Sequence, residues 1–233
     1  MCLLFWLSVC IVFYVYLGYP LIVYLLGKVK QRPIDKQAIE PIVSILIAAY
    51  NEADVIEATV RNKLELDYPR ENFEIIVISD GSDDGTDEIV AGFNGQNVRL
   101  LRQEPRAGKT SALNMAVEQA AGDILVLSDA NSIYAEDALR ELVANFNDPS
   151  VGYVTGKMIY VDPDGSMVGD GCSSYMRYEN FLRDAETRFG SVVGVDGGID
   201  AVRKALYRPM RVDQLPDFVL PLNVVVQGYR VIY

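Results

Sequence analysis

Residues 73–86 read FEIIVISDGSDDGT, and the architecture follows from that run. FEIIVIS (73–79) is almost unbroken Ile and Val, the signature of a strand covered on both faces. It breaks into Asp80-Gly81-Ser82-Asp83-Asp84-Gly85-Thr86, a turn rich in helix-start residues. Similar runs lie on either side. IVSILIAAY (42–50) leads into Asn51-Glu52, VRLL (98–101) follows, and DILVLS (123–128) leads into Asp129-Ala130-Asn131. The intervening pattern predicts helices over 53–66, 84–93, 109–121 and 135–146. Apolar strands alternating with helices predict an α/β domain, a mostly parallel sheet with helices on both faces. Beyond Val151 the pattern predicts a strand over 151–161, a long helix near 173–189, a strand near 191–196, a helix near 217–227 and a final strand in YRVIY.

The rest of the composition narrows the function. The 233 residues carry 21 Lys+Arg against 32 Asp+Glu, a net charge of -11, and half of them are hydrophobic. These values exclude a disordered tail, a collagen-like repeat and a small disulfide scaffold. The acidic balance argues against nucleic-acid binding, which needs a basic face. With no His, neither a Ser/His nor a Cys/His nucleophile can be built, and acid–base work falls to Asp, Glu, Lys, Tyr or Cys. Cys2, Cys10 and Cys172 form no CxxC pair, which suggests a reducing compartment and no metal cluster.

Residues 1–27 read as a transmembrane helix. No charge occurs between Cys2 and Gly27. A helix of that length covers roughly 39 Å, enough to cross a bilayer with some tilt. A cleaved signal peptide fits poorly, because no basic segment precedes the run and no small-residue cleavage site follows it. Lys28, Lys30 and Arg32 open a basic juxtamembrane linker over 28–41 and place the 42–233 domain on the cytoplasmic side of the cell membrane.

Sheets of this kind bind ligands beyond the carboxyl ends of their strands. Three polar clusters fall there: Tyr50-Asn51-Glu52, the 80–86 turn and Ser128-Asp129-Ala130-Asn131. Asp83 and Asp84 are equally explained as a turn and helix cap, and Asp129 and Asn131 as an Asx turn. Three such clusters on one sheet edge exceed what turns require. Asp129 and Asn131, two positions apart, have the spacing of a metal-diphosphate site, with oxygen ligands suited to Mg²⁺ or Mn²⁺. Arg106-Ala107-Gly108-Lys109-Thr110 opens a helix and forms an anion site from Lys109 and backbone N–H groups. It is no P-loop, since Gln103 stands where that motif needs Gly.

The order YNE, DGSDDGT, RAGKTSALN, SDAN, GVDGG and PDFVLPLNVVVQGYRVIY resembles a membrane-anchored family-2 glycosyltransferase of the polysaccharide-synthase type, over nearly the whole chain. The resemblance implies a GT-A fold, a nucleotide-sugar donor (a UDP-hexose or UDP-N-acetylhexosamine), a divalent metal and a saccharide or lipid-linked acceptor. It implies donor contacts from Tyr50, Glu52, Asp80, Lys109 and Asp129, metal contacts from Asp129 and Asn131, and Asp217 as catalytic base, with a helix cap as that residue's plain alternative. Glu179, Gly197 and Gly198 fall to the acceptor side, where Glu179 also suits packing and the glycines a tight turn. The chain departs from the family pattern at Pro216, which replaces the first acid of an acidic pair, and at Asn131, which replaces an Asp. Tyr233 precedes the QxxRW-type motif and the C-terminal membrane helices of such synthases, as a fragment of a longer synthase would. A nucleotidyltransferase lacks its Gly-rich signature here. A catalytically impaired nucleotide-sugar-binding protein, or partner of a synthase, is the non-enzyme alternative.

Overall fold

The computed structural model describes residues 2–157 and 170–233, the side chains of 170–173 excepted. Along the chain run α1 (Cys2–Phe13), a π-helical turn (Tyr14–Gly18), α2 (Tyr19–Val29), β1 (Val43–Ala49), α3 (Ile56–Leu64), β2 (Phe73–Ser79), α4 (Thr86–Ala91) and β3 (Val98–Arg102). There follow α5 (Lys109–Gln119), β4 (Ile124–Asp129), α6 (Ala138–Val143), β5 (Val151–Thr155), α7 (Asp170–Phe189), β6 (Ile199–Arg203), α8 (Pro216–Val226) and β7 (Arg230–Ile232).

The chain divides into two compact units. One holds residues 1–33, 159–193 and 232–233. Its helix from Cys2 to Val29 has a mean hydropathy of 2.2 and is long and apolar enough to cross a membrane. Within this unit the Tyr24 and Phe181 rings lie 5.6 Å apart, and the Tyr19 hydroxyl donates to Glu186 Oε1 at 2.6 Å.

The other unit, residues 34–158 and 194–231, carries the sheet. The strand order is β3-β2-β1-β4-β6-β5-β7. The first four strands are parallel, and β6 runs antiparallel between β4 and β5. Ile45, Leu46, Ile47, Ile75, Ile76, Val77, Leu125 and Val126 are fully buried at the centre of the sheet. Each such side chain contributes about 1.5–3 kcal/mol of transfer free energy. The chain goes from β1 to β2 on one side and returns to β4 on the other, so the strand order reverses at β1. The crevice beyond the carboxyl ends of β1 and β4 is the place such a sheet offers a ligand.

The early strands match their expected spans within one residue at either end, and the helices expected over 53–66, 84–93, 109–121 and 135–146 are shorter than expected, while α8 has its expected length shifted by one residue. The helix expected over 84–93, α4, starts at Thr86 because Gly85 is left-handed (φ 98°) and stops the helix there. The strand expected near 191–196 is absent. The Val193 N–H donates to the Glu186 side chain at 3.0 Å rather than to a ladder, and the strand begins at Ile199 instead. The expected strand over 151–161 extends to Thr155, and its portion from 158 lies outside the described residues. Cys2 and Cys10 are free thiols, and the Cys172 side chain lies outside the described residues.

Candidate active site

The carboxyl ends of β1, β2 and β4 and the start of α5 line an open cleft of about 370 Å³, bounded by Tyr50, Glu52, Asp80, Arg106, Lys109, Asp129 and Asn131. Its floor is set by two loops that hold each other. Ser82 Oγ accepts the Asn51 N–H, and Asn51 and Asp83 exchange two hydrogen bonds at 2.9 and 3.0 Å. The Thr86 hydroxyl accepts the Glu52 N–H and donates to Asp84 Oδ1. Asp84 also accepts the Ala53 and Thr86 N–H groups. These bonds hold the exposed Asp84 carboxyl below its usual range. Asp83, Asp84 and Thr86 are thus staples that fix Tyr50 and Glu52 at the cleft.

Asp80, nearly buried at the end of β2, turns both carboxylate oxygens toward the next loop. Oδ1 accepts from Gln103 Nε2 and the Ala107 N–H, and Oδ2 from the Gly108 N–H at 2.8 Å. Gly108 is left-handed (φ 91°), which a β-carbon would disfavour. The Arg106 guanidinium stacks 3.6 Å over the Tyr50 ring at the mouth of the cleft. Asp80 therefore positions the 106–108 loop and, through it, Lys109.

Lys109 joins two parts of the chain. Its Nζ donates to Asp129 Oδ1 at 2.8 Å and lies 3.9 Å from Asp217 Oδ2. Burial pulls its pKa down, but the carboxylates of Asp129, Asp217 and Asp200 push harder and the net shift is upward. Asp217 sits in the first turn of α8 without a side-chain capping bond, so capping does not explain it. Burial raises its pKa, Lys109 lowers it, Asp129 raises it again, and the net shift is upward. Two α5 side chains hold the segment leading to Asp217. The Thr110 hydroxyl donates to the Gln214 carbonyl at 2.7 Å, and Asn114 bonds Tyr207 and Met210. The KTSALN stretch thus supplies both the central ammonium and the support for the carboxylate opposite it.

Tyr50, Glu52, Asp80, Lys109, Asp129 and Asn131 all line the cleft, and Lys109 ties Asp217 to them. Gly197 lies against the Asp217 carboxylate and is left-handed (φ 81°), while the Gly198 carbonyl is 3.4 Å from the Tyr134 hydroxyl. Glu179 belongs to the other unit, where it is 3.4 Å from Arg183 on α7.

Sequence reasoning missed Asp200 and Lys63. Asp200 on β6 is fully buried, and neither of its oxygens meets hydrogen-bond geometry; the same holds for the nearby Tyr153 and Thr155 hydroxyls. Burial, the largest influence, pushes its pKa up to about 7; the Thr155 side chain draws it down, the Asp217 charge raises it, Tyr153 lowers it and Asp196 raises it. Lys63 on α3 is fully buried, and burial pulls its pKa down to about 7. Its place in the series Ile56, Thr59, Val60, Lys63, Leu64, the inward face of a helix, was the available signal.

Among the described residues no three His, Cys, Asp or Glu side chains cluster around one point. At the end of β4 the cleft presents the Asp129 carboxylate and the Asn131 side-chain amide, beside Glu52 and Asp80 on its wall. The Asp129 carboxylate and the Asn131 amide oxygen are hard oxygen ligands of the kind Mg²⁺ and Mn²⁺ take when phosphate oxygens and water complete the shell, so the residues fit such an ion.

A parallel sheet with an acid-lined cleft at its switch point and an antiparallel strand beside β4 is the GT-A arrangement. The family described as "Glycosyl transferase family 2" matches residues 44–207, and the chain belongs to that family of enzymes. Poly-β-1,6-N-acetyl-D-glucosamine synthase of Staphylococcus aureus (strain MSSA476) is 32% identical over 179 residues, 76% of this chain and 42% of that protein. The chain therefore spans less than half the length of this curated relative. A mannosyltransferase from Pyrobaculum calidifontis, solved with GDP-Man and Mn²⁺, superposes with a TM-score of 0.77 at 29% identity, covering 94% of this chain and 63% of that one. S. aureus TarS 1–349 with UDP-GlcNAc shares the fold (TM-score 0.63, 18% identity, 82% of this chain and 55% of that one).

Proposed function

We propose that this chain transfers a sugar, with inversion, from a nucleotide-sugar to a saccharide or lipid-linked acceptor. The donor is a UDP-hexose or UDP-N-acetylhexosamine. The observation that carries the reading is Lys109 between Asp129 and Asp217, 2.8 and 3.9 Å away, an arrangement that supports a cation for a departing diphosphate with a carboxylate across from it. Tyr50 and Arg106 flank the nucleoside, with Glu52 and Asp80 at the cleft wall. Asp129 and Asn131 would hold Mg²⁺ or Mn²⁺, which would supply positive charge to neutralise the diphosphate. Lys109 stabilises the leaving oxygens. Asp217 takes the proton of the acceptor hydroxyl, and its raised pKa makes it a better base than an exposed carboxylate. The relatedness to a poly-β-1,6-N-acetyl-D-glucosamine synthase supports an N-acetylhexosamine as the sugar, and the structure solved with GDP-Man and Mn²⁺ supports a nucleotide-sugar donor and the metal.

In the same reading the Cys2–Val29 helix anchors the enzyme in the cell membrane, and Lys28, Lys30 and Arg32 keep residues 28–233 in the cytoplasm. Pro216 and the short donor set at the cleft favour a second reading, a chain that binds the nucleotide-sugar without turning it over. Thermal shift with UDP-, GDP- and dTDP-sugars, with Mn²⁺ and then EDTA, followed by a transfer assay on the best binder, separates the two. The transferase reading expects UDP-sugar stabilisation that EDTA reverses, and labelled product. Binding without product supports the second reading, and no shift with any donor overturns both.

A further inference from the structure

The loop that carries Asp129 and Asn131 is held from behind by one helix. On α3, the Thr59 hydroxyl donates to the Ala130 carbonyl at 2.6 Å, and Lys63 Nζ donates to the Ser132 carbonyl. Asn62 Nδ2 donates to the Tyr134 carbonyl at 2.9 Å, and Asn62 Oδ1 accepts the Tyr134 N–H at 2.8 Å. Asn62 Oδ1 also accepts from Lys63 Nζ at 3.1 Å, and the Lys63 ammonium sits 3.4 Å from the centre of the Tyr134 ring.

Residues 130, 132 and 134 are thus gripped through their backbone on the α3 side, while Asp129 and Asn131, with Ala130 between them, line the cleft. A core helix ordinarily meets a loop with apolar residues. A fully buried lysine is costly unless its donors are used, and Lys63 spends them on the carbonyl next to Asn131 and on the neighbouring Asn62.

We propose that Lys63, with Thr59 and Asn62, is a positioning residue that holds the 129–134 loop in the shape that binds the divalent cation. The inference rests on the metal reading given above. Groups that orient a ligand-bearing segment tune metal affinity without touching the ion.

The test uses the whole chain in lipid nanodiscs. Mn²⁺ is titrated calorimetrically at saturating UDP, and UDP is titrated separately without metal. In Lys63→Met, which keeps length and loses the donor, the Mn²⁺ Kd is expected to rise about tenfold or more, with metal-free UDP affinity unchanged. Thr59→Val and Asn62→Ala are expected to weaken Mn²⁺ in the same direction, and they carry the test if Lys63→Met does not fold. A merely structural role would leave the Mn²⁺ Kd of the folded variants at the wild-type value, and that result overturns the inference while sparing the metal reading. A wild type whose UDP binding ignores Mn²⁺ overturns the metal reading and this inference together.

Discussion

The carboxylate of Asp217 rests on the α-carbon of Gly197: a β-carbon built there would fall 2.6 Å from Oδ2. Gly197 is also left-handed, at φ 81°. The glycine is required twice, once by its backbone and once by the acid packed on it. Gly197→Ala must therefore move Asp217 as well as strain the turn. The expected outcome is a stability loss of about 1–3 kcal/mol by thermal melting, together with a fall in transfer rate at unchanged UDP affinity. A variant that loses stability but transfers at the wild-type rate would show that the position of Asp217 does not matter.

Asp200 gives the protein a pH dependence that does not need turnover to be seen. Its pKa of about 7 in the folded state exceeds that of an unfolded Asp, near 3.9. Below about pH 4 both states hold the proton and stability is complete. As pH rises, the unfolded chain releases the proton while the folded chain keeps it, so stability is lost progressively until about pH 7. Asp200→Asn keeps the shape without the ionisation. Its free energy of unfolding should match wild type near pH 4 and exceed it increasingly toward pH 7, by an amount of order 4 kcal/mol at most. A constant difference across that range would mean that the Asp200 pKa in the folded protein is not raised above its unfolded value.

How much of this was legible beforehand depended on the kind of signal. The apolar strands 43–49, 73–79 and 124–129 announce themselves because both faces are buried, and the polar residues at their ends converge because parallel strands end on one edge. The individual jobs within a motif were harder. Asp83 and Asp84 read equally as ligands or as a turn and helix cap in the run DGSDDGT, and the structure shows them stapling one loop to another. That distinction depends on partners more than 30 residues away. Asp200 was invisible as a charge on a strand because nothing local says that it will be buried, whereas Lys63 was legible only through its place on the inward face of α3. The absent strand near 191–196 was lost to Glu186, whose carboxylate takes the Val193 amide.

Asn131 offers a gain-of-affinity test. It is exposed at the cleft, two residues beyond Asp129, so a carboxylate there has room and faces the same space. Asn131→Asp supplies a charged oxygen ligand in place of a neutral one. Calorimetric titration of Mn²⁺ at saturating UDP should show equal or tighter binding. A clear loss of affinity would mean that the Asn131 side chain is not a ligand and that the ion, if bound, uses Asp129 and other groups.

Asp217→Asn separates chemistry from donor binding. The donor side of the cleft is built from Tyr50, Glu52, Asp80, Lys109, Asp129 and Asn131, all within the first 131 residues. Asp217 arrives from the start of α8, held there by Gly197 and by the 207–214 segment bonded to α5. Its nearest described cation, Lys109 at 3.9 Å, already has a closer partner in Asp129 at 2.8 Å. Replacing the acid with its amide therefore leaves the donor's contacts in place and keeps the packing against Gly197. It also costs no helix cap, since Asp217 makes no capping bond. What the amide loses is the ability to accept a proton near neutral pH. The expected result is a fall in sugar transfer of about 10²–10⁴-fold, with UDP and Mn²⁺ affinities close to wild type, measured on the whole chain in lipid. The acidic limb of the wild-type pH profile should lie above the range of an ordinary exposed aspartate, because burial raises the Asp217 pKa. Transfer by the variant within a few-fold of wild type would remove Asp217 from the mechanism and leave Lys109 with Asp129 as a binding pair alone.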